Sequence, residues 1–142
     1  MLWGAGHVPL GVFLWTTPRD LDWSARCVVQ AQRLDELLQR MPISKVVCEL
    51  PQHFEGARGQ AAEGRGDIIK LTYMVGGYGI VCGMRGISFE HAPVMTWKGQ
   101  LSKESVEKRV RRIIGEDHFE RLRIRRDVID ACGIGLWARG LF

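Results

Sequence analysis

Apolar residues recur at Trp23, Cys27, Ala31, Leu34, Leu38 and Met41, three and four positions apart, with Asp22 standing where a helix cap would. This pattern predicts an amphipathic helix over residues 23–41. Ahead of it, residues 10–16 read as a strand and residues 4–9 as the turn leading into it, a hairpin that Pro18-Arg19-Asp20 ends. The run Lys45-Val46-Val47-Cys48-Glu49-Leu50-Pro51 reads as a short strand buried on both faces. A polar loop over residues 52–60 leads to a second helix, from about residue 61 into Ile80-Val81-Cys82. Glycines at 76, 77, 79 and 83 weaken that helix, and each costs roughly 1 kcal/mol relative to alanine. Close approach of another helix is the usual compensation.

Residues 87–91 predict a further strand, ended by Pro93. Ser102 then caps a helix carrying Val106, Val110, Ile113 and Ile114, with Glu104 at its positive end and Gly115 as its stop. A short acidic-basic segment over residues 116–126 precedes a final helix from about Asp127. The order fits an α/β fold, a mixed sheet flanked by helices. With 142 residues and no linker or repeat, one domain over 1–142 is expected.

Composition narrows the class. The apolar fraction is 46%, ordinary for a globular protein. No apolar run approaches the roughly 20 residues that span a bilayer, and the start of the chain lacks the basic residues of a signal peptide. Cys27, Cys48, Cys82 and Cys132 are scattered, without CxxC or HxxxH spacing, which argues against zinc and for reduced thiols in a cytoplasmic protein. Net charge is only +4, yet Arg109, Arg111, Arg112, Arg121, Arg123, Arg125 and Arg126 crowd the last third of the chain. That concentration suits a phosphate backbone. The plainer alternative is a solvated helix face paired with Glu104, Glu107, Glu116 and Glu120.

Two acidic features carry candidate chemistry. Glu49 closes an apolar strand, at the sheet end where α/β folds place their sites. Asp127 and Asp130 are three apart, hence on one helical face, and Ala131, Gly133 and Gly135 leave room beside them. Singly, each has a structural alternative: an ion pair for Glu49, an N-cap for Asp127 and a helix-dipole partner for Asp130. Together, converging carboxylates need a cation between them, and an all-oxygen set favours Mg²⁺ or Mn²⁺.

Glu49 at a strand end, Asp127-x-x-Asp130-Ala131 opening a C-terminal helix, and the stretch Thr96-Trp97-Lys98-Gly99-Gln100-Leu101-Ser102-Lys103 resemble the RuvC-type Holliday-junction resolvases of the RNase H-like superfamily, closest in flavour to compact phage-encoded members. The resemblance implies an RNase H-like mixed sheet and a metal-dependent endonuclease that resolves four-way DNA junctions. It makes Glu49, Asp127 and Asp130 ligands of two Mg²⁺ (or Mn²⁺) ions that clamp the attacking water and the leaving oxygen. Lys98 and Lys103 would contact phosphate beside the cut, Lys103 within the catalytic set. Phe54 would stack at the junction centre, with a loop anchor as its alternative. Arg58, Arg109, Arg112 and Arg123 would hold the DNA backbone.

The family's first strand carries an Asp, and here no Asp precedes Asp20. Met1-Leu2-Trp3 reads as the tail of the second strand. Either the chain is truncated at its start or it dispenses with one ligand, so this chain is expected to bind branched DNA and cut it slowly or not at all. The rival function is a non-catalytic branched-DNA-binding or structural homologue. A two-fold junction also suggests a homodimer, formed through the glycine-interrupted helix and its residues Leu71, Met74, Val75 and Tyr78.

Overall fold

A computed structural model of the chain describes all residues except 7, 53–63, 65 and 125–127. The fold is mixed α/β, with helix predominating. Its strands are β1 (Leu2–Trp3), β2 (Pro9–Gly11), β3 (Lys45–Leu50) and β4 (Ser88–Pro93). Its helices are α1 (Trp23–Arg40), α2 (Asp67–Met84), α3 (Val94–Trp97), α4 (Lys103–Ile114), α5 (Glu116–Arg121) and α6 (Ile129–Trp137). This is the expected order with two short helices added. The described strands form two separate pairs, β1 with β2 and β3 with β4. The chain divides into two compact units, Trp15–His91 and a discontinuous one of Met1–Leu14 with Ala92–Phe142.

In the Trp15–His91 unit, α1 forms as its stripe predicts. Asp22 Oδ1 accepts from the N–H groups of Ser24 and Ala25 at 2.8 and 2.9 Å, satisfying two donors that a helix start leaves open. Cys27, Leu34 and Leu38 are buried, and Trp15, Ile43, Val46, Tyr78, Val81, Ile87 and Phe89 close over the core that Leu34 and Leu38 share with Cys82 of α2. The strand expected over residues 10–16 stops at Gly11. Beyond it, side chains of α1 capture the backbone that a ladder would otherwise use: Gln30 donates to the Trp15 carbonyl, Arg33 to Thr16, and Arg26 to Arg19 and Leu21.

Ser88 N–H donates to the Ser44 carbonyl, and Lys45 pairs with Glu90 at 2.8 Å, so β3 and β4 start side by side. They therefore run parallel, joined by α2 as a helical crossover. No β3 residue is fully buried; a two-stranded sheet cannot cover both faces of the strand, contrary to the expectation for residues 45–51. Helix α2 turns Val75 and Cys82 inward. Of its interior glycines only Gly79 has a close neighbour, since a Cβ there would lie 3.3 Å from the Phe89 ring. At Gly76, Gly77 and Gly83 a Cβ would meet nothing within 4 Å. Within the described residues, then, no helix approaches these three glycines as the sequence suggested.

The other unit is built around α4 and α6. Ser102 Oγ accepts from Ser105 N–H at 3.2 Å to cap α4, whose Val106, Val110 and Ile114 are buried. Gly115, at φ 84°, ends it in a conformation that side chains disfavour. Helix α6 contributes Ile129, Cys132, Ile134 and Leu136 to the same core. The room left by its glycines is filled by indoles. A Cβ at Gly133 would stand 2.6 Å from Trp97 of α3, and one at Gly135 would be closer still to Trp3 of β1. Arg139 fastens the hairpin from the other side, donating to the Gly4 and Ala5 carbonyls at 2.8 and 2.6 Å.

All four cysteines are free thiols. Burial pushes Cys132 up to about 12 and Cys48 up to about 11, the latter aided by the charge of Glu49. Both stay protonated at pH 9, where an unfolded thiol is half ionised. Stability should therefore fall as pH rises above 9, because the unfolded chain loses protons that the folded chain keeps. Urea midpoints across that range should show the decline, and Cys132→Ala should make it shallower. Gly135→Ala should cost about 1–3 kcal/mol through overpacking against Trp3, read from the same midpoints.

Candidate nucleic-acid interface

Asp130 lies in the first turn of α6, in the discontinuous unit. Lys98, which caps the C-terminus of α3, brings its Nζ to 3.6 Å from Asp130 Oδ1. Lys103, the first residue of α4, brings its Nζ to 3.8 Å from Oδ2. Three helices thus deliver one carboxylate and two ammoniums to one place, a cluster of net charge +1. Both separations exceed the roughly 2.7–2.9 Å of a tight charge-assisted bond. Asp130 Oδ1 is buried and accepts no hydrogen bond.

The local folding that produces this is simple. Trp97 is 3% exposed and wedged against Gly133, which sets α3 on α6 and leaves Lys98 at the helix end, its Nζ 5.6 Å from the Trp97 ring. The Ser102 cap starts α4 at Lys103. Both lysines are partly screened by protein, at 22 and 31% exposure, and each keeps a face toward water. Such a cluster can accept an anionic oxygen on its lysine side, while Asp130 keeps an acceptor unfilled.

Of the residues singled out in the sequence, Lys98, Lys103 and Asp130 are brought together. Glu49 belongs to the other unit, half-buried near the end of β3 and beside Cys48. Asp127, Phe54 and Arg58 lie outside the described residues. The arginines divide by role. Arg109 lies over the Phe142 ring at 4.6 Å with its Nε buried. Arg111 is tied to Glu107, Glu116 and Glu120 and stacks on Phe119 at 3.7 Å, so it fastens α4 to α5. Arg112 and Arg123 are exposed, Arg123 at φ 50°. The paired-face alternative therefore holds for Arg111.

The metal expectation meets an incomplete set. Among the described residues, which omit Asp127, no three His, Cys, Asp or Glu side chains group to hold an ion. The unfilled Oδ1 of Asp130 is a hard donor of the right kind, but it is a single carboxylate. No step through a metal is derived from it. Sequence reasoning passed over Trp97 as the residue that seats α3 on α6 beside the site, and Trp3 and Arg139 as what holds the hairpin on α6. Their signal was the pair of glycines in α6, which needed something large opposite.

No protein-family model matches the chain, and no curated protein matches it significantly.

Pairs as loose as those of Asp130, at 3.6 and 3.8 Å and partly open to water, contribute little to stability, about 0–1 kcal/mol. Asp130→Asn should therefore leave the urea midpoint nearly unchanged. A loss above about 2 kcal/mol would instead make Asp130 a clamp holding α3 and α4 on α6.

Proposed function

We propose that the chain binds branched DNA and serves as a metal-dependent, structure-selective endonuclease of four-way junctions. What supports this reading is the convergence of Lys98, Lys103 and Asp130, which lie on three helices and come from two separate sequence motifs. Lys98 and Lys103 would seat a backbone phosphate, as point charges. Arg112 and Arg123 would extend the grip along the strand. Asp130 would be one of the metal-binding carboxylates, and the resemblance supplies Glu49 and Asp127 as the others, with Mg²⁺ or Mn²⁺ as the ion. The ions would stabilise charge on the reacting oxygens when bound.

A second reading is favoured by one observation: Asp130 already faces two lysines, and among the described residues no three His, Cys, Asp or Glu side chains group to hold an ion. On that reading the chain binds junctions without cutting them.

Incubating the chain with a four-way junction and a linear duplex, with Mg²⁺ or Mn²⁺, separates the two. Junction-specific incision that Glu49→Gln and Asp130→Asn abolish, with binding intact or tighter, is the outcome expected of the nuclease. Tight junction binding without incision leaves the binding protein. Lys98→Ala and Lys103→Ala should each weaken binding and lower its salt slope by about one. Equal, weak retention of junction and duplex would sink both readings.

A further inference from the structure

Arg109 is held differently from the other stacked arginines. Arg111 lies on the Phe119 ring and also donates to carboxylates, and Arg139 lies 5.9 Å from the Trp3 ring and also donates to two carbonyls. Arg109 has the stack alone. Its guanidinium carbon is 4.6 Å from the centre of the Phe142 ring, and among the described residues its buried Nε finds no acceptor. The same ring leans on Trp97, with centroids 5.8 Å apart, and the buried indole Nε1 also lacks an acceptor. Two donors therefore go unmet in the two residues that one phenyl ring touches, and a phenyl ring is at best a weak acceptor.

The attachment of Phe142 suits release. The N–H groups of Gly140 and Leu141 donate to the Trp137 and Leu136 carbonyls at 2.8 and 2.9 Å, and Gly140 takes φ 69°, so the turn after α6 is fixed as far as Leu141. Phe142 follows that tie, and its ring can swing away while the turn and α6 stay in place. Stacking holds the ring down, and the burial of two donors without partners opposes it.

We propose that the Phe142 ring is a latch that keeps Arg109 from a nucleic-acid phosphate, and that the polyanion itself opens it; this rests on the DNA-binding reading above. Arg112 is one turn further along α4 and exposed, and Lys98 follows Trp97 directly. A freed guanidinium thus joins cations already assigned to the DNA backbone. A phosphate oxygen gives it charge-assisted hydrogen bonds, which are stronger than a stack on phenyl near the surface. Phosphate reaches Arg109 only when the ring is lifted. The contact therefore favours one state entirely, which is what shifts a two-state equilibrium.

Four-way-junction binding by the 142-residue chain and its variants tests this. Phe142→Ala should tighten binding about three- to tenfold and steepen its salt slope by about one, since one more phosphate is met. Adding Arg109→Ala should remove that gain. Leu141→Ala, at a neighbour 41% exposed, should change neither quantity. A readout on the free protein needs no DNA: in Phe142→Ala the Trp97 indole N–H and the Arg109 Nε–H should exchange with solvent at least about tenfold faster, while the backbone amides of α6 keep their rates. Binding that Phe142→Ala fails to tighten, a gain that survives Arg109→Ala, or unchanged exchange of the two side-chain donors would overturn the latch and leave the DNA reading standing. Faster exchange throughout α6 would make Phe142 a structural residue and overturn the latch as well. Retention of the junction by no variant would overturn both readings together.

Discussion

Two indole rings pressed against a helix that has no side chains to meet them set the geometry of the discontinuous unit. Trp97 lies against Gly133 and Trp3 against Gly135, so α3 and the β1–β2 hairpin approach α6 more closely than any Cβ would allow. The Trp97 contact also bears on the candidate site, because Lys98 follows Trp97 directly. With Trp97 seated, the backbone of Lys98 is held at the end of α3, and its Nζ reaches Asp130 Oδ1. With α4 packed on α6 through Val106 and Val110, Lys103 comes to the other oxygen of Asp130. The buried indole N–H of Trp97 finds no acceptor, a cost that the packing of the ring must outweigh.

Helices with strong stripes and caps were legible from the sequence. The residues of α1 and α4 announce both the buried face and the capping oxygen, and Asp22 and Ser102 do what their positions suggest. Strand extents were not, because they depend on partners distant in sequence. Thr16 is held by Arg33 of α1 instead of by a ladder, and nothing local to residues 10–16 reveals that. Glycine was the most ambiguous letter. In α6 it admits indoles from the same unit; in α2, Gly76 and Gly83 face open space. The sequence marks both as places of close approach without saying what approaches. The resemblance assigned Lys98, Lys103 and Asp130 to one site, and these three do come together, whereas Glu49 belongs to the other unit.

Charge clustering by itself overstated the number of cations open to a ligand. Arg111 sits among three glutamates and on an aromatic face, and Arg109 and Arg139 are held by Phe142 and by backbone carbonyls. Guanidinium suits such work, since its planar fork stacks and donates at once. The exposed remainder, Arg112 and Arg123 among them, is what a polyanion would meet. A helix face rich in arginine can therefore be mostly internal fastening.

The division of the chain also orders its assembly in time. Trp15–His91 is continuous, so during synthesis it can close its core, with Leu34, Leu38 and Cys82 in place, before the rest has been made. The other unit cannot. Trp3 must wait for Gly135, and the carbonyls of Gly4 and Ala5 for Arg139, so these hairpin residues are made well before their partners. Until α6 emerges, Trp3 lacks the glycine face it packs on. During synthesis, the cluster of Lys98, Lys103 and Asp130 can therefore form only after the core of the continuous unit has had its chance to close.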